Sequence, residues 1–169
     1  MKKYVLATLS IMMFLSALFA GSVSRASADE SKVLQFNTMV GVPRPYTGAD
    51  NAIRGVPGGG RPWVIEFAKG KLSPDGDINV MVKGLVIDPA EPIAAAGTNP
   101  SPFFKVVVSC LSKDAGGAAV TVNVSTQNFP ADTAGNAQIQ DTITLPQPCI
   151  APIIFVTNPN GAWFAATGF

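Results

Sequence analysis

Short apolar runs alternate with turn residues along the chain, and after Ala28 no segment of helical length carries an apolar repeat of about 3.6 residues. Alternation of apolar and polar residues between Gly, Pro, Asn and Asp is instead typical of β-strands. The pattern predicts eight strands, near residues 33–40, 63–72, 77–88, 103–112, 118–128, 137–146, 150–157 and 162–168. The predicted fold class is therefore all-β.

Three connections carry the residues that tight turns require. Ser73–Gly76 and Asn158–Gly161 each place Pro, with its restricted negative φ, at the second position and Gly where a positive φ is needed. Lys113–Gly117 joins two apolar runs and also supplies Gly at the turn. Consecutive strands are therefore predicted to be mostly antiparallel neighbours.

The predicted strands differ in how many of their faces are apolar. Residues 103–111 are apolar at nearly every position, as in a strand covered on both faces, whereas Val120, Val122 and Val124 alternate with polar residues. Strands of both kinds, about eight in number, favour an antiparallel two-sheet sandwich, immunoglobulin-like or related. A small β-barrel is the alternative.

The N-terminus has the features of a signal peptide. Lys2 and Lys3 precede an apolar run over residues 4–20 and an Ala-Ser-Ala site that ends at Ala28. A membrane anchor is the competing interpretation, because this run is near the minimum length that spans a bilayer. The charged Asp29 and the residue after it favour cleavage after Ala28. We expect residues 1–28 to be removed, leaving residues 29–169 as one exported domain that does not insert stably into a membrane.

The charge balance excludes several functions. Removal of residues 1–28 leaves nine of the 12 basic residues against all 11 acidic ones, so the formal charge becomes −2. This balance gives no electrostatic reason to propose nucleic acid as a partner. The chain has no His, which excludes His-dependent catalytic triads and His-ligated metal sites. We expect no cofactor and no metal.

Cys110 and Cys149 are the only cysteines, and export would take both into an oxidising compartment. A disulfide between them is predicted to tie distant strands. The long loop that it would close makes it worth about 4 kcal/mol in the chain-entropy model. The alternative, a reactive thiol, needs a nearby base or cation.

Four segments carry a resemblance to a known group of proteins: Arg54–Gly60, Pro102–Cys110, Leu145–Pro152 and Ala162–Gly168. Through them the chain resembles a family of small secreted proteins, mainly bacterial, for which no activity is known. The resemblance implies export and covers nearly all of the mature chain. It implies no particular function.

The segment 41–62 is rich in Gly and Pro, and a loop of this length is usually functional or disordered. It holds Arg44, Arg54 and Arg61, the only arginines outside the leader. With Tyr46 and Trp63 they could bind a carboxylate, a sulfate or a sugar ring by bidentate hydrogen bonds and stacking. The alternative is structural: the arginines bind backbone carbonyls and acidic side chains and so fix the loop.

Glu66 is the candidate catalytic residue. A bulged turn at Ser73–Gly76 would make Glu66 the one polar side chain on an apolar face, where a raised pKa would suit a general acid. The register without the bulge pairs Glu66 with Lys83, and a salt bridge to an arginine of the loop is a further alternative. A glycosidase would also need a second carboxylate, for which the sequence offers Asp77, Asp88 and Glu91.

Two further segments have weaker functional signals. Asp75–Asn79 matches the first three oxygen positions of a calcium loop but lacks the later Gly and Glu, which favours a simple hairpin. Trp163 and Phe164 are adjacent on a predicted strand and so face opposite ways. One of them could form an exposed platform for sugars, although final-strand aromatics are more often core residues.

Three functions are therefore compatible with the sequence. The first is an exported, non-catalytic binding or envelope-associated domain that contacts a glycan, a small anion or an envelope protein. The second is an extracellular hydrolase that uses Glu66. The third is a structural or self-associating envelope protein, which predicts exposed strand edges and no cleft.

Overall fold

A computed structural model describes residues 32–167, which form twelve strands and no helix. The strands are β1 Leu34–Phe36, β2 Val40–Gly41, β3 Trp63–Val64, β4 Phe67–Leu72, β5 Asp77–Lys83, β6 Val86–Ile87, β7 Phe103–Lys113, β8 Ala119–Ser125, β9 Phe129–Pro130, β10 Ala137–Thr142, β11 Ile150–Thr157 and β12 Trp163–Ala166. The all-β prediction is confirmed. The structure differs from the prediction at two short strands. The predicted strand 33–40 is divided into β1 and β2, and β9 forms where no strand was predicted.

The strands form two main antiparallel sheets. The four-stranded sheet has the order β1-β4-β5-β10, and the six-stranded sheet has the order β2-β12-β11-β7-β8, with β9 also paired to β7. The third sheet is a two-stranded ribbon of β3 and β6. Within the described residues no sheet closes on itself, so the barrel alternative is wrong and the architecture is that of a β-sandwich.

The core lies between the two main sheets because one face of each is apolar. Alternate residues of β4, β5 and β10 turn one way and are buried, and alternate residues of β7 and β11 meet them. The fully buried side chains include Leu72, Ile78, Val80, Val82, Phe104, Val106, Val108, Ile139 and Ile154. Period-two patterning therefore produces the sandwich directly.

The turn at Ser73–Gly76 has the predicted bulge. The Ser73 N–H donates to the Asp77 carbonyl, Gly76 has a φ of 90°, and Leu72 pairs with Ile78. The turns at Asn158–Gly161 and Lys113–Gly117 form in the same manner. A fourth turn of this kind, Asp132–Asn136, was not predicted.

The hairpin changes its buried face partway along, which overturns one prediction. Trp63 pairs with Ile87 in the same register that pairs Leu72 with Ile78. Both arms of the hairpin are nevertheless interrupted: one at residues 65–66, between β3 and β4, and the other at residues 84–85, between β5 and β6. Beyond the interruption the odd-numbered Trp63 and Ile87 are buried and Val64 is exposed. Glu66 was predicted on the core face, but it is exposed, because the ribbon β3–β6 leaves the four-stranded sheet and turns its other face inward.

Cys110 and Cys149 form the predicted disulfide. Cys110 is fully buried within β7, and Cys149 immediately precedes β11, which pairs with β7. The disulfide therefore ties two strands that are distant along the chain and adjacent in one sheet.

The predicted signal peptide, residues 1–28, lies outside the described residues, as does the end of the last predicted strand. Between residues 32 and 167 no helix is long and apolar enough to cross a membrane.

Candidate functional site

The loop over residues 41–62 is attached to the rim of the six-stranded sheet by backbone hydrogen bonds. The Gly59 N–H donates to the Trp163 carbonyl, and the Trp163 N–H donates to the Pro57 carbonyl. Farther out, the Gly48 N–H donates to the Gly59 carbonyl. A Cβ on Gly58 would collide with the backbone of Tyr46, so the Gly content permits close packing of the backbone here.

Arg44 and Arg61 bind the same carboxylate, Glu91. Arg44 Nη2 lies 2.8 Å from Glu91 Oε1, and Arg61 Nη1 lies 3.2 Å from Oε2. The two arginine side chains are 66% and 47% exposed, whereas the Glu91 side chain is only 10% exposed. The hydrogen bond from Arg44, followed by that from Arg61, lowers the pKa of Glu91 below its ordinary value of 4.5. The pair of arginines is therefore fixed on an ionised carboxylate.

The space beside this group is a cleft of about 570 Å³, called the arginine cleft below. Apolar residues of β2, β3 and the intervening loop form most of its wall, and its polar lining is Arg44, Asp88 and Glu91. Val40 and Val64 are 39% and 38% exposed beside it. The cleft thus combines the Arg44 guanidinium with an apolar wall, and Arg61 does not line it but binds the other oxygen of Glu91 from beside it.

Arg54 does not belong to this group. Its Nη1 donates to the carbonyls of Ser109, at 3.0 Å, and Ala151, at 2.8 Å. Its own carbonyl accepts from Asn123 Nδ2. Arg54 therefore fastens the loop over the outer face of β7 at Ser109. β7 is buried on both faces only from Val106 to Cys110, because Phe103 and Leu111 are each 41% exposed, so the predicted two-sided burial holds for the middle of the strand. The three arginines were predicted as one surface, and in this respect the prediction was wrong.

Tyr46 and Trp63 have different environments. Trp63 is 5% exposed and stacks on Phe164, so its ring is part of the core. Tyr46 is 42% exposed but does not line the arginine cleft. Trp163 and Phe164 are both buried, at 3% and 5% exposure, so neither forms a surface platform.

Glu66 lies outside the arginine cleft. Its side chain lies over Gly84, and neither of the two salt bridges between residues 32 and 167 involves it. Of the possible partner carboxylates, Asp88 and Glu91 line the cleft, and Asp77 accepts a hydrogen bond from the Thr142 hydroxyl. Asp75–Asn79 forms the hairpin turn and the start of β5. In the described part of the chain, no group of three or more acidic or Cys side chains is arranged to hold a metal ion.

Sequence reasoning missed a second polar surface, the outer face of the four-stranded sheet. The strand register places Gln35, Lys71, Asn79 and Gln140 in one row across all four strands, and the next row contains Lys69, Met81 and Gln138. A depression of about 520 Å³ lies over these rows. We call this surface the amide face. The sequence shows these polar residues at alternate strand positions, but it does not show that they lie side by side, because this depends on the order of the strands in the sheet.

The chain matches no protein-family model, no curated protein and no solved structure. The resemblance to a family of small secreted proteins stays an expectation, and the function has to be argued from the residues of the chain itself.

Proposed function

We propose that this protein is an exported, non-catalytic binding domain whose ligand carries a carboxylate and occupies the arginine cleft. The observation that carries the proposal is the pair of partly exposed guanidinium groups fixed on the nearly buried Glu91. Export is supported by the signal-peptide pattern of residues 1–28 and by the Cys110–Cys149 disulfide.

The arginines keep most of their hydrogen-bonding capacity. A guanidinium has five N–H donors, and Arg44 and Arg61 each donate one of them to Glu91. The remaining donors are partly exposed on side chains that Glu91 already orients. A ligand carboxylate would therefore meet donors that need little further ordering, which reduces the entropic cost of binding.

The lining also defines what must be attached to the carboxylate. Val40, Val64 and Pro62 present an apolar wall that suits the apolar side of a sugar ring or an aliphatic group. The formal charges of Arg44, Arg61, Asp88 and Glu91 cancel. Recognition would therefore depend on hydrogen-bond geometry and not on long-range attraction, and affinity would depend only weakly on salt. A uronic acid within an acidic glycan has this chemistry.

The other two hypotheses have less support. The hydrolase hypothesis required a core-face Glu66, whereas Glu66 is exposed and outside the cleft. A structural or self-associating protein predicted exposed strand edges and no cleft. The cleft beside the loop counts against it, whereas the edge strand β8 fits it.

The proposal is tested by calorimetric titration and thermal unfolding of residues 29–169 with oligogalacturonate, and with its fully methyl-esterified form as a neutral probe. At 100 times the dissociation constant, a ligand adds about 2.7 kcal/mol and raises the midpoint on the order of 10 °C. We expect binding of the acid and none of the ester. Equal binding of both forms, or of neither, would overturn the carboxylate assignment.

Matched variants locate the site. Arg44→Lys with Arg61→Lys keeps both charges but removes the planar forks, so affinity should fall at least about tenfold. Asn79→Ala with Gln138→Ala alters the amide face and should bind as the wild type does. If the amide-face variant loses binding and the arginine variant keeps it, the ligand occupies the other surface. The mass of the secreted protein tests export separately, because cleavage after Ala28 leaves Asp29 as the first residue.

A further inference from the structure

The strand β8, Ala119–Ser125, forms one edge of the six-stranded sheet. Two hydrogen bonds at the ends of the β7–β8 hairpin show which residues of β8 direct their backbone groups toward β7. The Thr126 N–H donates to the Val106 carbonyl, and the Asp114 N–H donates to the Ala118 carbonyl. The backbone groups of Val120, Val122 and Val124 therefore face β7. The backbone groups of Ala119, Thr121, Asn123 and Ser125 face outward, and no described residue forms a hydrogen bond with these backbone groups. Among the side chains of these described residues, that of Asn123 alone is engaged, because its Nδ2 donates to the Arg54 carbonyl.

This edge lacks the features that protect strand edges from pairing with other chains. Its sequence, Ala-Val-Thr-Val-Asn-Val-Ser, contains no charged residue and no Pro, and its pairing with β7 has no bulge. Soluble proteins blunt long edges with charges, Pro, bulges or a covering segment. Because its residues are uncharged and most of them are β-branched, β8 has the composition that favours strand addition.

The other edges of the two main sheets are protected in the described part of the chain. β1 is three residues long. β10 carries Asp141, whose carboxylate accepts from the Gln127 N–H. β2 is two residues long, and the Val42 carbonyl that follows it accepts from the Trp63 N–H. The unprotected edge is therefore a particular property of β8.

The sequence of β8 is complementary to itself in an antiparallel pairing. A two-fold axis at Val122 places Val120 opposite Val124, Thr121 opposite Asn123 and Ala119 opposite Ser125 of the second copy. In this register every outward N–H and carbonyl of β8 finds a partner, and no like charges meet.

The burial of the valines favours the same pairing. Val120, Val122 and Val124 point to the core side of the sheet but are only half-buried. Across the two-fold axis, the valines of the second copy would lie directly beside them and extend the apolar surface. We infer that a second copy of this chain adds to β8, so that two six-stranded sheets join into one continuous sheet across an antiparallel β8–β8 pair.

The test is sedimentation equilibrium of oxidised residues 29–169 over a concentration series, with wild type and Thr121→Pro compared. Pro at position 121 removes an outward N–H but no bond to β7, so the hairpin with β7 should remain. Because each copy loses one donor, self-association should weaken about tenfold or more. Gln140→Pro is the matched control on the edge of the four-stranded sheet and should associate as the wild type does.

Hydrogen exchange supplies a readout that does not depend on the Pro variant. The outward amides of Thr121 and Asn123 should become protected as protein concentration rises, whereas those of Gln138 and Gln140 should not. A monomer at every concentration, or a dimer that leaves these β8 amides unprotected, would overturn the inference. Protection of the same amides in a protein that sediments as a monomer would also overturn it, because a segment of the same chain would then cover the edge. None of these three results would affect the proposal for the arginine cleft.

Discussion

Trp63 and Phe164 stack with their ring centroids 3.7 Å apart and an angle of 14° between the ring planes. Phe164 also meets Phe104 edge to face at 5.9 Å, so the stack connects the ribbon β3–β6 to the six-stranded sheet and its core. Gly59 packs against both rings: a Cβ there would lie 2.9 Å from Phe164 Cδ1 and 3.2 Å from Trp63 Nε1. The aromatic pair thus holds one end of the long loop close to the sheet.

Replacement of Trp63 by Ala should therefore cost stability and not only affinity. We expect Trp63→Ala to lower the free energy of unfolding by about 3–5 kcal/mol, because it leaves a cavity against Phe164. Urea unfolding followed by far-UV circular dichroism measures the change. Tyr46→Ala is the control, since Tyr46 is exposed and its loss should change stability by less than about 0.5 kcal/mol. Similar small effects at both positions would contradict a core role for Trp63.

Arg54 is expected to stabilise the protein without contributing to ligand binding. Arg54→Ala should lower the free energy of unfolding by about 1.5–3 kcal/mol, because the carbonyls of Ser109 and Ala151 lose a charged donor. Arg54→Lys should recover part of this loss, since an ammonium keeps the charge and three donors. Chemical unfolding of both variants gives the comparison.

Arg44→Ala is the control for Arg54, because the Arg44 side chain is exposed and Glu91 would keep its bond to Arg61. We expect little change in stability at Arg44. A larger loss at Arg44 than at Arg54 would show that the Arg44–Glu91 pair, not Arg54, fastens the loop.

The fold could be predicted where local chemistry alone determines it. Pro at the second and Gly at the fourth turn position specify the hairpin at Ser73–Gly76 together with its bulged register, and period-two alternation marks the strands. The turn at Asp132–Asn136 has Gly135 in the same place but no Pro, and it was missed. β9 was missed as well, because a strand of two residues is too short to show an alternation of apolar and polar residues.

The candidate site depends on contacts between distant residues, which sequence patterns do not encode. Glu91 is separated from Arg44 by 47 residues and from Arg61 by 30. Neither spacing distinguishes it from the other carboxylates. Glu66 was placed on the wrong face because the alternation rule assumes one continuous strand, whereas the hairpin is interrupted at Glu66.

Acid should weaken the contacts that fix the arginine cleft. Hydrogen bonds from Arg44 and Arg61 lower the pKa of Glu91, and hydrogen bonds from Asn136 lower the pKa of Asp132. A carboxyl group whose pKa is lower in the folded state stabilises the fold above its unfolded pKa. This contribution is lost as the pH falls through the lower folded pKa. We expect urea midpoints to be constant from pH 7 to about 5 and to fall below about pH 4.5.

Glu91→Gln and Asp132→Asn should each remove part of this acid dependence, because the variants no longer take up the proton. The two residues belong to separate hydrogen-bond networks, so we expect their effects to add. The test is the change of the urea midpoint between about pH 3 and about pH 5. If the midpoints of the wild type and of Glu91→Gln change identically, Glu91 does not contribute to the acid dependence.

Removal of the disulfide should lower stability by about 4 kcal/mol, because Cys110 and Cys149 are 39 positions apart in the chain and the bridge restricts the unfolded state. The comparison is urea unfolding of the oxidised wild type and of Cys110→Ala with Cys149→Ala. Since β7 and β11 already pair along most of their length, the folded state should keep its β-sheet circular dichroism. A reduced wild-type sample controls for packing lost with the sulfur atoms. A loss much below about 1 kcal/mol in both samples would mean that the unfolded chain retains contacts between these strands without the bridge.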